Sequence, residues 1–157
     1  MSKSSVGWLW VGGQAVLLGA LVLWPTGTAW PRPAAVLVIA GILFFSGLGL
    51  VAFSALGLGT ALTPSPVPTS TGQLTTSGLY KFVRHPIYTG VLTAVAGITL
   101  RSGNWVHVAI AIATYVYFDR KAAWEEQRLR ETYSDYDDYA TRTPKFIPTI
   151  LRRARAT

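Results

Sequence analysis

Residues 34–57 read AAVLVIAGILFFSGLGLVAFSALG, an apolar run without a single charged side chain. A bilayer's hydrocarbon core is about 30 Å thick, and a helix needs roughly 20 apolar residues to cross it. A stretch of this length and purity predicts a transmembrane helix. Its glycines Gly41, Gly47 and Gly49 suit close approach by neighbouring helices. A first apolar segment covers residues 8–24 and gives way to Pro25, Pro31 and Pro33, which suit a loop. It reads as a retained signal anchor, because no small-residue cleavage pattern follows it. Two shorter apolar runs, residues 86–100 and 105–118, predict spans when flanking residues join the helices. Between them Arg101, Ser102, Gly103 and Asn104 read as a tight helical-hairpin turn. The expected fold is therefore an all-α integral membrane protein, one domain over residues 1–157. Its four spans are expected at about 8–24, 34–57, 83–100 and 104–119.

Charge supports this reading. Only 13% of the residues are charged, about half the share of a soluble domain. The formal net charge of +7 does not point to nucleic acid, because the basic residues flank apolar segments instead of forming a platform. With four spans, Lys3, Lys81, Arg84 and every Lys or Arg from Arg120 onward fall on one side, and only Arg32 and Arg101 on the other. The positive-inside rule puts the richer side, with both termini, in the cytosol, and the expected location is a bacterial-type cytoplasmic membrane. The six tryptophans, Trp8, Trp10, Trp24, Trp30, Trp105 and Trp124, fall near predicted helix ends, as in an aromatic belt.

Two polar stretches lie on the cytosolic side. Residues 58–82 carry Pro64, Pro66, Pro68 and a Ser/Thr/Gly run, and they read as an irregular connector. From about 120 to 140, Ala122, Glu126, Leu129, Tyr133, Tyr136 and Ala140 recur every three or four residues, which predicts one amphipathic helix. Pro144 and Pro148 end it, and Arg152, Arg153 and Arg155 suit a tether to anionic headgroups.

There is no cysteine, so thiolate nucleophiles and Cys-based metal sites are excluded, and with two histidines, His85 and His107, a His-rich metal site is not expected. His107 falls at the start of the fourth span, away from the polar side, where anchoring or helix packing is the expected role. The densest chemistry is Arg84-His85-Pro86-Ile87-Tyr88, where a polar loop enters the membrane. Pro86 fits the first helical position, and the free N–H groups of that turn favour an anionic group. Tyr80 and Tyr88 add hydroxyls and ring faces that attract a cation. Arg120, Lys121, Glu125 and Glu126 form the second cluster. A carboxylate on an apolar stripe needs a partner there, from the protein or from a ligand.

The ordered set from Tyr80 through Arg84-His85-Pro86-Ile87-Tyr88 and Gly90, then Glu125-Glu126, Tyr136-Asp137-Asp138-Tyr139, Arg142 and Phe146-Ile147-Pro148 resembles the isoprenylcysteine carboxyl methyltransferase family. The related phospholipid N-methyltransferases are similar. The resemblance covers residues 71–148. It implies S-adenosylmethionine as cofactor, held near the cytosolic face, and a lipophilic methyl acceptor drawn from the bilayer. It implies cofactor contacts from Gly72, Gln73, Leu74, Thr75, Tyr80, His85, Pro86, Ile87 and Tyr88, and from Glu125 or Glu126. Arg84, Glu125 and an acceptor-facing basic residue at Lys121 or Arg120 are the implied catalytic set, with no metal. Gly72 stands where eukaryotic members often have histidine, and a lysine at the basic position lacks arginine's planar, bidentate grip on a carboxylate. Two enzymatic readings remain open at this point: carboxyl methylation of an isoprenylcysteine-like acceptor, or N-methylation of a phospholipid or small amine. A non-enzymatic four-helix scaffold is the rival class.

Overall fold

The computed structural model describes residues 3–59 and 74–148. Gly72, Gln73, most of the Pro/Ser/Thr connector and the basic end at Arg152, Arg153 and Arg155 lie outside the described residues. The chain is helical, with no strand among the described residues. Five α-helices follow in order: α1 (Lys3–Leu23), α2 (Ala34–Leu58), α3 (Pro86–Ser102), α4 (Trp105–Thr132) and α5 (Tyr136–Arg142). A 3₁₀ turn, Gly78–Lys81, precedes α3. Both α1 and α2 are long and apolar enough to cross a membrane. Neither is buried as the core helix of a soluble protein would be. Trp8, Leu9, Phe45, Phe53 and Leu56 are all more than half exposed, and an apolar surface of this kind calls for lipid or a partner to cover it.

Helix α2 packs along α3, and α1 and α3 pack against α4. At one end the loop after α1 meets the turn between α3 and α4. The Gly27 N–H donates to Ser102 O at 2.8 Å, and the Ala29 N–H to Gly103 O at 2.8 Å. Trp30 Nε1 reaches Leu100 O at 3.0 Å and Asn104 Nδ2 reaches Pro25 O at 3.0 Å. The turn is as tight as its sequence predicts. Gly103 adopts a left-handed φ of 62°, and the Asn104 side chain caps α4 by accepting from the Val106 N–H. His107 is buried in that first turn of α4, at the far end of the bundle from His85.

Backbones of α2 and α3 touch through glycine. A Cβ at Gly47 would lie 2.5 Å from Ala94 N and 2.6 Å from Gly90 O; one at Gly97 would lie 2.6 Å from Ala40 O. The sequence points to Gly41, Gly47 and Gly49, but only Gly47 makes such an approach. Gly41 and Gly49 face open space. A Gly47→Leu variant is therefore expected to lose about 2 kcal/mol of stability through forced separation of the helices. Gly41→Leu should change the melting temperature little in detergent.

The C-terminal part corrects the sequence reading. There is no single amphipathic helix over 120–140. Instead α4 runs unbroken from Trp105 to Thr132, well past the apolar stretch, and Tyr133, Ser134 and Asp135 turn the chain before α5. The 3.6-residue pattern spans both pieces because the same side of the bundle buries Lys121, Ala122 and Glu126 from α4 and Tyr136 and Tyr139 from α5. Trp124 thus sits inside a helix. Trp10 packs in the α1–α4 seam, 5.0 Å from the Tyr117 ring and 6.5 Å from that of Trp124.

Candidate functional site

The end of the bundle opposite the α3–α4 turn gathers Arg84, His85, Tyr88, Lys121, Glu125 and Glu126. His85 is the N-cap residue of α3 and Pro86 opens the helix. Residues 143–146, after α5, form a strap over this start. Arg84 N donates to Pro144 O at 2.8 Å, His85 N to Lys145 O at 3.1 Å, and Thr89 Oγ1 to Phe146 O at 2.9 Å. Lys145 Nζ ties the strap to Asp119 of α4 at 2.7 Å. Tyr139 of α5 donates its hydroxyl to Tyr80 O at 2.6 Å.

Arg84 and Glu126 form the hub beneath the strap. The guanidinium reaches Glu126 Oε1 through Nε and Nη2, both at 3.0 Å, and Nη1 donates to Ala140 O at 2.9 Å and Thr143 O at 2.5 Å. The carbonyls at the end of α5 thus gain the donor that a helix C-terminus lacks. His85 Nε2 lies 3.0 Å from the same Glu126 oxygen, and Arg130 lies 3.8 Å from the other. Burial pushes the Glu126 carboxyl up, but the hydrogen bonds from His85 and Arg84 outweigh it and hold the group at about 2. The Tyr139 hydroxyl moves the opposite way, to about 12, because it is buried.

Glu125 faces a different set. Tyr88 donates its hydroxyl to Glu125 Oε2 at 2.9 Å, and His85 Nδ1 lies 3.7 Å from the same oxygen. His85 and Tyr88 stack nearly parallel, with centroids 5.3 Å apart at 2°. The Glu125 side chain keeps 25% exposure, against 6% for Glu126. Glu125 Oε1 makes no hydrogen bond among the described residues. Two neighbouring carboxylates therefore differ: Glu126 is enclosed, with its Oε1 shared by Arg84 and His85, and Glu125 is half-open.

Lys121 is buried at 4% exposure. Its ammonium sits 5.1 Å above the Tyr88 ring and 5.7 Å from that of Phe118, and it donates to Gln14 Oε1 of α1 at 2.7 Å. Burial pulls its pKa down, and the nearby Glu125 carboxylate opposes that. Arg120 is exposed and joins none of these contacts. Of the candidates from sequence, Arg84, His85, Pro86, Tyr88, Lys121, Glu125 and Glu126 come together. Leu74 and Thr75 are half-buried, and Ile87 lies in the first turn of α3. Among the described residues, no group of three or more His, Asp or Glu side chains is arranged to hold a metal ion.

The phospholipid methyltransferase family model matches residues 35–136, which takes in α2, α3 and α4. The chain belongs to that family. The phospholipid methyltransferase match holds His85, Tyr88, Lys121 and Glu125, and it leaves out Gln14 and the strap. A protein-S-isoprenylcysteine O-methyltransferase B of Arabidopsis thaliana is 30% identical over 80 residues, 50% of this chain and 41% of that one. A nickel-cobalt-cadmium resistance protein of Alcaligenes xylosoxydans xylosoxydans is 31% identical over 87 residues, 54% of this chain and 41% of that one. Methanethiol S-methyltransferase 1 of Bradyrhizobium diazoefficiens is 37% identical over 71 residues, 45% of this chain and 24% of that one. The aligned part is thus less than half of each of these curated relatives.

The sequence did not single out Gln14. Its signal was a lone amide within an otherwise apolar stretch of α1, of the kind that marks a polar contact inside a membrane bundle. The strap's hold on α3 left no such signal, because it runs through the backbone carbonyls of Pro144, Lys145 and Phe146.

Proposed function

We propose that this protein is a membrane-embedded, S-adenosylmethionine-dependent methyltransferase that methylates a carboxylate on an isoprenylcysteine-like or other lipophilic acceptor. The observation that carries this reading is the half-open Glu125, held by Tyr88 and stacked His85 at the start of α3. In this reading all four long helices span. At about 1.5 Å per residue, the 17 residues of α3 reach roughly 25 Å, which a thinned bilayer accommodates. The His85 end faces the cytosol, as the lysine and arginine distribution favours.

The residues present fit the cofactor. Pro86 has no N–H and His85 N is taken by the strap, so the N–H groups of Ile87 and Tyr88 remain in the first turn of α3 to receive a carboxylate. The unpaired Oε1 of Glu125 is an acceptor for a hydroxyl or ammonium group. Leu74, Thr75 and Tyr80, with Gly72 and Gln73 before them in the sequence, are the further contacts that the family resemblance implies.

When bound, S-adenosylmethionine supplies a methyl group on a positively charged sulfur that leaves as a neutral thioether. The chain's residues then have only to align and dry the site. Glu125 and Tyr88 fix one side, Lys121 the other. Arg84 and Glu126 act at one remove, by clamping the strap that shapes the start of α3. A carboxylate acceptor arrives already ionised, so no side chain has to remove a proton. An apolar trough of about 510 Å³ between α2 and the 3₁₀ turn, lined by Leu50, Phe53 and Leu79, offers a place for an apolar tail.

Calorimetric titration of detergent-purified protein with S-adenosylhomocysteine tests this reading. Saturable binding at a one-to-one ratio is the expected result, with a methyl ester formed on N-acetyl-S-farnesylcysteine when S-adenosylmethionine is supplied. Flat heats for the parent protein would remove the methyltransferase assignment. An amine or thioether product by mass spectrometry would move the acceptor class.

A further inference from the structure

Lys121 is a buried cation whose direct hydrogen bond comes from outside the family match. Its ammonium has three N–H groups. One is held by Gln14 Oε1 at 2.7 Å, and the other two make no hydrogen bond among the described residues. The Tyr88 ring face and the field of Glu125 both favour the charged form. The tether comes from α1, which is itself pinned in place. The Tyr117 hydroxyl of α4 donates to Trp10 O at 2.6 Å. It fills the gap at Gly13, where a Cβ would lie 2.5 Å from that hydroxyl oxygen. The backbone that carries Gln14 is therefore held against α4 in the α1–α4 seam.

We propose that Gln14 is the positioning residue that aims Lys121 at an anionic oxygen of the methyl acceptor, so that α1 sets acceptor selectivity. This rests on the methyltransferase reading above and extends it to a helix outside the family match. A lysine is a flexible point charge and lacks the rigid fork that makes arginine self-orienting. Gln14 supplies the missing constraint: it fixes one N–H while the ammonium sits over the Tyr88 ring, which leaves the remaining N–H groups to meet an acceptor oxygen. The methyl transfer itself is balanced without Gln14. The acceptor oxygen forms a bond to the methyl carbon, the carbon–sulfur bond breaks, and its electron pair stays on sulfur.

The test compares equilibrium binding of N-acetyl-S-farnesylcysteine with its primary carboxamide, in the presence of S-adenosylhomocysteine, for the parent, Gln14→Met and Lys121→Met proteins. The parent should prefer the carboxylate by about tenfold or more, as expected for a hydrogen bond to a charged group. Gln14→Met should lose most of that preference while still binding the carboxamide normally. A purely structural role for Gln14 would weaken both ligands alike and leave their ratio unchanged. Gln14→Glu keeps a tether but gives the ammonium a counter-charge within the protein, and it should also lose the carboxylate preference. A parent that binds the two ligands equally, or neither, overturns the proposal. So does a Gln14→Met protein with the parent's ratio. Titration with S-adenosylhomocysteine alone separates the two readings. A parent that binds it but shows no carboxylate preference sinks only the role of Gln14. A carboxylate preference that depends on Gln14, in a protein with no cofactor binding, sinks only the methyltransferase reading.

Discussion

Replacing Glu126 by glutamine is expected to cost about 3 kcal/mol of stability at neutral pH and to release the strap from α3. The carboxyl is held at about 2 in the folded protein, against 4.5 for the free group. A group whose pKa falls on folding stabilises the fold above its unfolded value, and that contribution disappears as pH drops through the folded value. The Glu126 contribution is thus full above about pH 5 and fades between about pH 4.5 and pH 2. Glutamine keeps the shape but leaves the Arg84 guanidinium, at 13% side-chain exposure, without its counter-charge. Removing one partner of a buried pair costs about 3–5 kcal/mol for this reason. Denaturation in mixed micelles should show the loss, and the variant's stability should no longer fall along the parent's acid limb. Hydrogen exchange adds a spatial check: the amides of Arg84, His85 and Thr143 should exchange faster. Equal protection in parent and variant would mean that the hub does not hold the strap.

The helices were legible in the sequence because each depends on a local signal. The charge-free run gives α2, Pro86 gives the start of α3, and Gly103-Asn104 gives the turn into α4. The C-terminal boundary was not legible. Tyr133, Ser134 and Asp135 break the chain without proline or glycine, and the apolar period continues across the break because both pieces bury the same side. The glycine contacts were half legible. A glycine in a membrane helix permits close approach, but which of Gly41, Gly47 and Gly49 is approached depends on where Gly90 and Gly97 of α3 fall. In the site, residue types announced the cluster, but the division of labour between adjacent glutamates did not show. One helical step of about 100° separates Glu125 from Glu126. It turns one towards Tyr88 and the other towards Arg84, a difference set wholly by tertiary packing.

That division makes the second large prediction a sharp one. Glu125→Ala is expected to lower S-adenosylhomocysteine affinity by about 100-fold, roughly the loss of a hydrogen-bonding charged group of about 3 kcal/mol. The fold should survive, because the clamp on Arg84 and the strap belongs to Glu126. Stability should therefore change by less than about 1 kcal/mol, as for a partly exposed carboxylate with one neutral hydrogen bond. Tyr88→Phe removes the donor to Glu125 Oε2 and leaves the carboxylate and the ring. Its expected loss is smaller, about tenfold, since the carboxylate remains but is less firmly oriented. The double variant, Glu125→Ala with Tyr88→Phe, should bind no worse than Glu125→Ala alone, because the Tyr88 hydroxyl acts only through that carboxylate. A sum of the two single losses in the double variant would show that Tyr88 touches the cofactor independently, through its hydroxyl. Full affinity in Glu125→Ala, with Glu126 intact, would hand the cofactor role to another group at the start of α3. Burial makes Glu126 a poor substitute, since its side chain is only 6% exposed and its Oε1 is already held by Arg84 and His85.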